Sequence, residues 1–123
     1  MITARKLLIS DVPSLSASDE PMGALDLMDQ FRIAHLPVVE NGKLLGLIGE
    51  DSLMELENLQ GDSTGLPLIK ATVTPDTHIL DILKLASEHR LSIVPVVDSD
   101  NTYLGSVSME DLVEQLADMQ GAN

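Results

Sequence analysis

One string of residues occurs twice in this chain, and the repetition limits the fold more than any other feature. Residues 31–40, FRIAHLPVVE, align with residues 89–98, HRLSIVPVVD, at an offset of 58. Residues 44–48, LLGLI, then match residues 103–107, YLGSV, at an offset of 59, so one residue has entered the intervening loop. It falls where the first copy has Asn41 and Gly42 and the second has Ser99, Asp100 and Asn101, which is hairpin-turn chemistry and tolerant of length change. Self-similarity of this kind points to one supersecondary unit built twice.

Each copy reads alike. A short extended segment near Ser14 and Leu15, or near Thr72 and Val73, precedes a turn with helix-start residues, 18–21 (SDEP) or 74–77 (TPDT). Met22, Leu25 and Met28, and again Ile79, Leu80, Leu83 and Ala86, fall at helical spacing. Two strands follow, then closing helices expected at about residues 51–59 and 109–119. The strands at 36–39 and 94–97 show no polar alternation, which predicts cover on both faces. Domains are expected at residues 1–60 and 68–123, with 61–67 as a linker. A unit of about 60 residues is marginal alone, so the two are expected to share an interface.

Composition narrows the function. The chain has 123 residues, 44% of them apolar, and a formal charge of −13 from 7 basic and 20 acidic side chains. One Phe, one Tyr and no Trp make the core aliphatic and leave no stacking platform for single-stranded nucleic acid, while the acidic surface repels phosphate backbones. No nucleic-acid partner is expected. The absence of cysteine removes disulfides, thiolate metal sites and cysteine nucleophiles. No apolar run approaches the ~20 residues of a membrane span, and the amino terminus is too short in apolar residues for a signal peptide, so a soluble, cytoplasmic protein with no membrane partner is expected.

Catalytic and metal chemistry find little support. His35, His78 and His89 lack metal-ligand spacing, and no metal site is expected. Residues 61–65, GDSTG, match a nucleophile elbow, but that motif sits between a strand and a helix. Here a helical stretch precedes it and Pro67 blocks a following helix. The chain is therefore not read as an enzyme, and no catalytic residue is assigned. Arg32 and Arg90 hold equivalent positions at the end of the first helix of each copy, where a cation suits the helix dipole.

The doubled pattern of apolar-Pro-Val-Val-acid, turn, apolar-Gly-apolar, then helix resembles a tandem pair of CBS domains, a Bateman module, over about residues 7–116. The resemblance implies an α/β (α+β) fold of two β-α-β-β-α units packed about a pseudo-twofold axis. It also implies a homodimer, and a regulatory module that binds an adenosine-type nucleotide between the repeats and signals through dimer packing to an effector protein or domain. The family's ribose-binding pattern, Gly-apolar-x-Thr/Ser-x-x-Asp, reads in the second copy as Gly105, Ser106, Val107, Ser108 and Asp111, which keeps the hydroxyl and the carboxylate. A carboxylate can accept from both vicinal ribose hydroxyls, beside unpaired N–H groups at the helix start. The first copy has Gly49 for the hydroxyl and Ser52 for the acid, and Asp51 is one position early, about 100° around a helix.

By resemblance, the main cleft comprises Ile9, Ser10, Asp11, Val12, Ser92, Ile93, Ser106, Ser108 and Asp111, and a degenerate cleft comprises Ala34, His35, Ser52, Ile69 and Lys70. AMP, ADP, ATP or another adenosine compound is the implied ligand, with no catalytic cofactor; few basic residues favour a ligand of low charge. Ser108 and Asp111 also form a helix-capping pair, which by itself stabilises by about 1 kcal/mol. The alternative to ligand sensing is a dimerisation or scaffolding module with nothing bound.

Overall fold

The computed structural model describes residues 2–8, 12–16, 19, 21–58 and 68–121. The linker expected at 61–67, with its GDSTG motif, lies outside the described residues, as do Ser18 and Glu20. The elements are α1 (Ala4–Leu7), α2 (Pro21–Phe31), β1 (His35–Glu40), β2 (Lys43–Gly49), α3 (Glu50–Asn58), α4 (Ile79–His89), β3 (Ile93–Val97), β4 (Tyr103–Ser108) and α5 (Met109–Gly121). This is the mixed α/β fold expected from the repeat.

Each copy forms an antiparallel hairpin, β1 with β2 and β3 with β4. The Asn-Gly turn works because Asn41 and Gly42 both take positive φ, at 52° and 79°. Each hairpin carries one irregularity at equivalent places, between Val38 and Val39 and between Val96 and Val97. Opposite them stand Gly46 and Gly105, with φ of 156° and 148°. The expected opening strands are reduced to single parallel bridges from Leu15 to Val38 and from Val73 to Val96. Pro37 and Pro95 lack an N–H, yet their carbonyls accept from Leu15 and Val73 at 2.8 and 3.1 Å.

The first helix of each copy ends in the same way. Arg32 and Arg90 take the left-handed conformation, φ 57° and 53°, just past the last turn. The next N–H reaches back five residues, Ile33 to Met28 at 3.0 Å and Leu91 to Ala86 at 2.9 Å, which satisfies carbonyls that the helix end leaves open. At the start of α4 the structure departs from expectation. His78 is the N-cap, its ring accepting from the Leu80 N–H, while Thr77 Oγ1 instead accepts from the Thr74 N–H.

One apolar cluster serves both halves. Leu36, Val38, Ile48 and Leu53 are buried, and so are their repeat equivalents Val94, Val96, Val107 and Leu112. Strand β3 is buried along its whole length, as the absence of polar alternation predicts. The halves also exchange edges. Ile69, from the lead into the second copy, exchanges both backbone hydrogen bonds with Leu47 of β2 at 2.8 Å. In return the short α1 docks on the second copy, where Ala4 and Arg5 donate to the carbonyls of Thr77 and Pro75 and Ile79 donates to that of Ile2.

Candidate ligand clefts between the repeats

The symmetry of the pair places the start of each closing helix beside the end of the other copy's first helix. The N–H of Glu50, opening α3, donates to Ala34 O at 2.9 Å, and that of Met109, opening α5, donates to the equivalent Ser92 O at 2.9 Å. Each helix start is thereby tied to the strand lead of its own copy. A cleft is left on either side.

The cleft at α5 has a volume of about 320 Å³ and is lined by Val12, the α2 end at Phe31, Arg32 and Ile33, and Ser92, Ser108, Met109, Glu110 and Asp111. Ser108 Oγ accepts from the Asp111 N–H at 3.1 Å, so the serine caps α5. Its own O–H and the half-buried carboxylate of Asp111 have no hydrogen-bond partner among the described residues. Arg32, exposed at its left-handed position, supplies the positive charge on the opposite wall.

The second cleft, about 420 Å³, is lined by Ala34, His35, Gly49, Glu50, Asp51, Ser52, Ile69, His89 and Arg90. Gly49 offers no cap to α3, and Glu50 and Asp51 fill its first turn. His35 is half-buried, and loss of solvent holds its pKa below the usual 6.5 although the Asp51 and Glu50 carboxylates pull the other way.

Of the residues assigned from sequence, Val12, Ser92, Ser108 and Asp111 come together in the first cleft, and Ala34, His35, Ser52 and Ile69 in the second. Ile93 is fully buried and does not line the first cleft. Ser106 is also fully buried, with its hydroxyl 2.8 Å from Tyr103 Oη. Lys70 lines a separate hollow with Leu44, Leu45, Gly46, Thr72 and Asn101. Ile9, Ser10 and Asp11 lie outside the described residues. The arginines read from sequence only as helix-end cations line a cleft each, and their equivalence in the repeat was the available signal.

Comparison with known proteins agrees with this architecture. The chain is 25% identical to an uncharacterized protein and 28% identical to an inosine-5'-monophosphate dehydrogenase, both from Methanocaldococcus jannaschii. Each match covers 91% of this chain, which spans 43% and 23% of those two proteins. Among solved structures, CBSX2 in complex with AMP superposes with a TM-score of 0.82 at 21% identity, covering 98% of this chain and 99% of that one. The CBS domain pair of protein MJ0100, in complex with 5'-methylthioadenosine and S-adenosyl-L-methionine, gives 0.78 at 22% identity, covering 97% and 98%. The CBS domain family matches residues 4–58 and again 67–118, and the chain belongs to that family as a tandem CBS pair.

Proposed function

We propose that this CBS pair is a regulatory module that takes an adenosine-type ligand in the cleft at α5 and passes its occupancy on through the packing of a homodimer. The observation that carries this reading is the meeting of Ser108, the cap of α5, and Asp111, in its first turn, at the wall of a cavity of about 320 Å³. A carboxylate with no hydrogen-bond partner among the described residues is suited to the paired hydroxyls of a ribose. The adenosine compounds held by CBSX2 and by the MJ0100 pair support the choice of ligand class. A formal charge of −13 favours members of that class with few charges. Regulation, not catalysis, is the role proposed, in the cytoplasm and on an effector that is a separate polypeptide or a further part of a longer chain. Thermal unfolding with adenosine, AMP, ADP, ATP, NAD and S-adenosylmethionine tests it: a ligand at 100 times its Kd raises stability by about 2.7 kcal/mol, a shift of several degrees. No shift with any of them sinks the reading.

A second reading is a dimerisation module that binds nothing. Met22, Met54, Leu80 and Val113, between 45% and 57% exposed on four different helices, favour pairing through helical faces. Light scattering that finds a dimer, with no ligand response, selects it.

A further inference from the structure

At the pseudo-twofold axis the two copies touch through residues that are not alike. Ser92 holds the position equivalent to Ala34, and its Oγ lies 3.0 Å from the Ala34 nitrogen and 2.9 Å from His35 Nδ1. The backbone N–H of Ser92 points at the same Nδ1, 3.2 Å away. A backbone N–H can only donate, so Nδ1 carries no proton and the neutral ring holds its hydrogen on Nε2. The Ser92 hydroxyl in turn accepts from Ala34 and donates to His35.

That assignment uses up the hydroxyl's only hydrogen. One lone pair is taken by Ala34, and one remains. Ser92 lines the cleft at α5, whereas His35 lines the other cleft. With neutral His35, Ser92 therefore offers a ligand an acceptor and no donor.

We propose that His35 sets, through Ser92, the charge of the ligand that the cleft at α5 accepts. While the ring is neutral, Ser92 suits a hydroxyl or amine of an uncharged nucleoside. A proton on Nδ1 reverses the bond, so that the imidazolium donates to Ser92 Oγ and the Ser92 O–H becomes free to donate to a phosphate. A phosphorylated ligand is then bound together with a proton. The inference rests on the ligand reading above.

The groups around the ring set the pH range. Burial and the opposed Ser92 N–H disfavour the proton, and Glu50 and Asp51 of α3 favour it. From the end of α4, His89 and Arg90 line the same cavity, and the Arg90 guanidinium adds positive charge against it. On the far side of Ser92, Arg32, Glu110 and Asp111 face the ligand itself. His35 is thus a positioning residue, and its signature is a pH profile.

The test is calorimetry of adenosine and AMP in buffers of different ionisation enthalpy, between pH 6 and pH 8, on the native protein and on His35→Asn. The asparagine amide oxygen can accept from Ser92 but cannot be protonated. In the native protein AMP should bind with proton uptake beyond its own phosphate's, adenosine without it. The preference for AMP over adenosine should rise as pH falls, at most about tenfold per unit for one linked proton. His35→Asn should lose that part of the dependence, whatever its affinity for adenosine. In the unsubstituted protein, NMR titration of the His35 ring should show its pKa raised by AMP and not by adenosine, which settles the matter should the variant fail to fold. Matching pH profiles in both proteins, or a ring pKa indifferent to AMP, overturns the proton link alone. Failure of both ligands to bind overturns the ligand reading and this inference with it.

Discussion

Leu44 and Tyr103 occupy the same position in the two copies, and each donates its N–H to the turn of the other, Leu44 to Asn101 O at 3.2 Å and Tyr103 to Gly42 O at 2.9 Å. The two hairpins are thus joined tip to tip by a reciprocal pair of bonds. Lys43 adds to the joint with its ammonium on Asp100 O and Thr102 Oγ1. Together with the Ser92 contacts at the opposite end of the strands, these bonds hold the two sheets in one orientation.

The edge exchange at Ile69 depends on the absence of a side chain at Gly46. A Cβ there would stand 2.8 Å from Leu68 Cβ and 3.1 Å from Ile69 O, on a backbone with φ of 156°. Gly46→Ala should destabilise by more than about 2 kcal/mol in urea unfolding, since either the crossover segment moves or the hairpin strains. Gly23→Ala, inside α2 with nothing within 4 Å of the new methyl, should stabilise by about 0.5–1 kcal/mol.

Tyr103 is the sole tyrosine, and there is no tryptophan, so its ionisation can be followed by absorbance without interference. Burial raises its pKa above 10, opposed by the Ser106 hydrogen bond. A folded-state pKa above the unfolded one means full stability below about pH 10 and loss as pH rises through the folded value. Spectral ionisation should therefore coincide with loss of structure. Tyr103→Phe leaves the fully buried Ser106 hydroxyl without its partner, and about 1–3 kcal/mol of stability should go with it.

The cap and the ligand site at α5 separate by substitution. Ser108→Ala should cost about 1 kcal/mol of stability, because the Asp111 N–H loses its acceptor. Asp111→Asn should leave the fold within about 1 kcal/mol and weaken adenosine binding by about 10- to 150-fold, the loss of a hydrogen bond to a charged group. Unchanged affinity with an intact fold would return the carboxylate to a purely helix-supporting role.

The second cleft has room for the missing pattern. A Cβ at Gly49 would meet the His35 ring at 3.6 Å, an ordinary contact. Gly49→Ser with Ser52→Asp should fold, cap α3, and raise the calorimetric stoichiometry for adenosine from one site per chain toward two. A stoichiometry that stays at one would show that the hydroxyl and the carboxylate alone do not make a site.

The repeat carried most of the architecture because its information is local: Asn41 and Gly42 dictate a turn, and helical spacing dictates α2 and α4. The exchanges between halves escaped because a one-residue bridge, such as Leu47 with Ile69 or Thr3 with His78, leaves no periodic trace. The four-residue α1 is too short to announce itself by pattern, and its docking is set by backbone bonds to Thr77 and Pro75. At the clefts, Ser108 and Asp111 were readable as a motif. Ser106 stands at the pattern's apolar position, and the pairing with Pro95 and the hydroxyl of Tyr103 account for a buried serine there. Arg32 and Arg90 were visible as equivalents, but their place on the cleft walls follows from the left-handed turn that ends each helix.

The Ala34 and Ser92 contact has a consequence for how such a pair can diverge. In a dimer of identical single units, a residue on the axis meets its own copy: two alanines leave no hydroxyl for the neighbouring imidazole, and two serines crowd two hydroxyls onto one spot. Joining both copies in one polypeptide removes that identity, so one side can supply the hydroxyl and the other the bare N–H that bonds to it at 3.0 Å. The histidine then needs to appear once, and Ile93 takes its place in the other copy. Covalent fusion thus permits a self-complementary interface to become a directional one, with a donor side and an acceptor side.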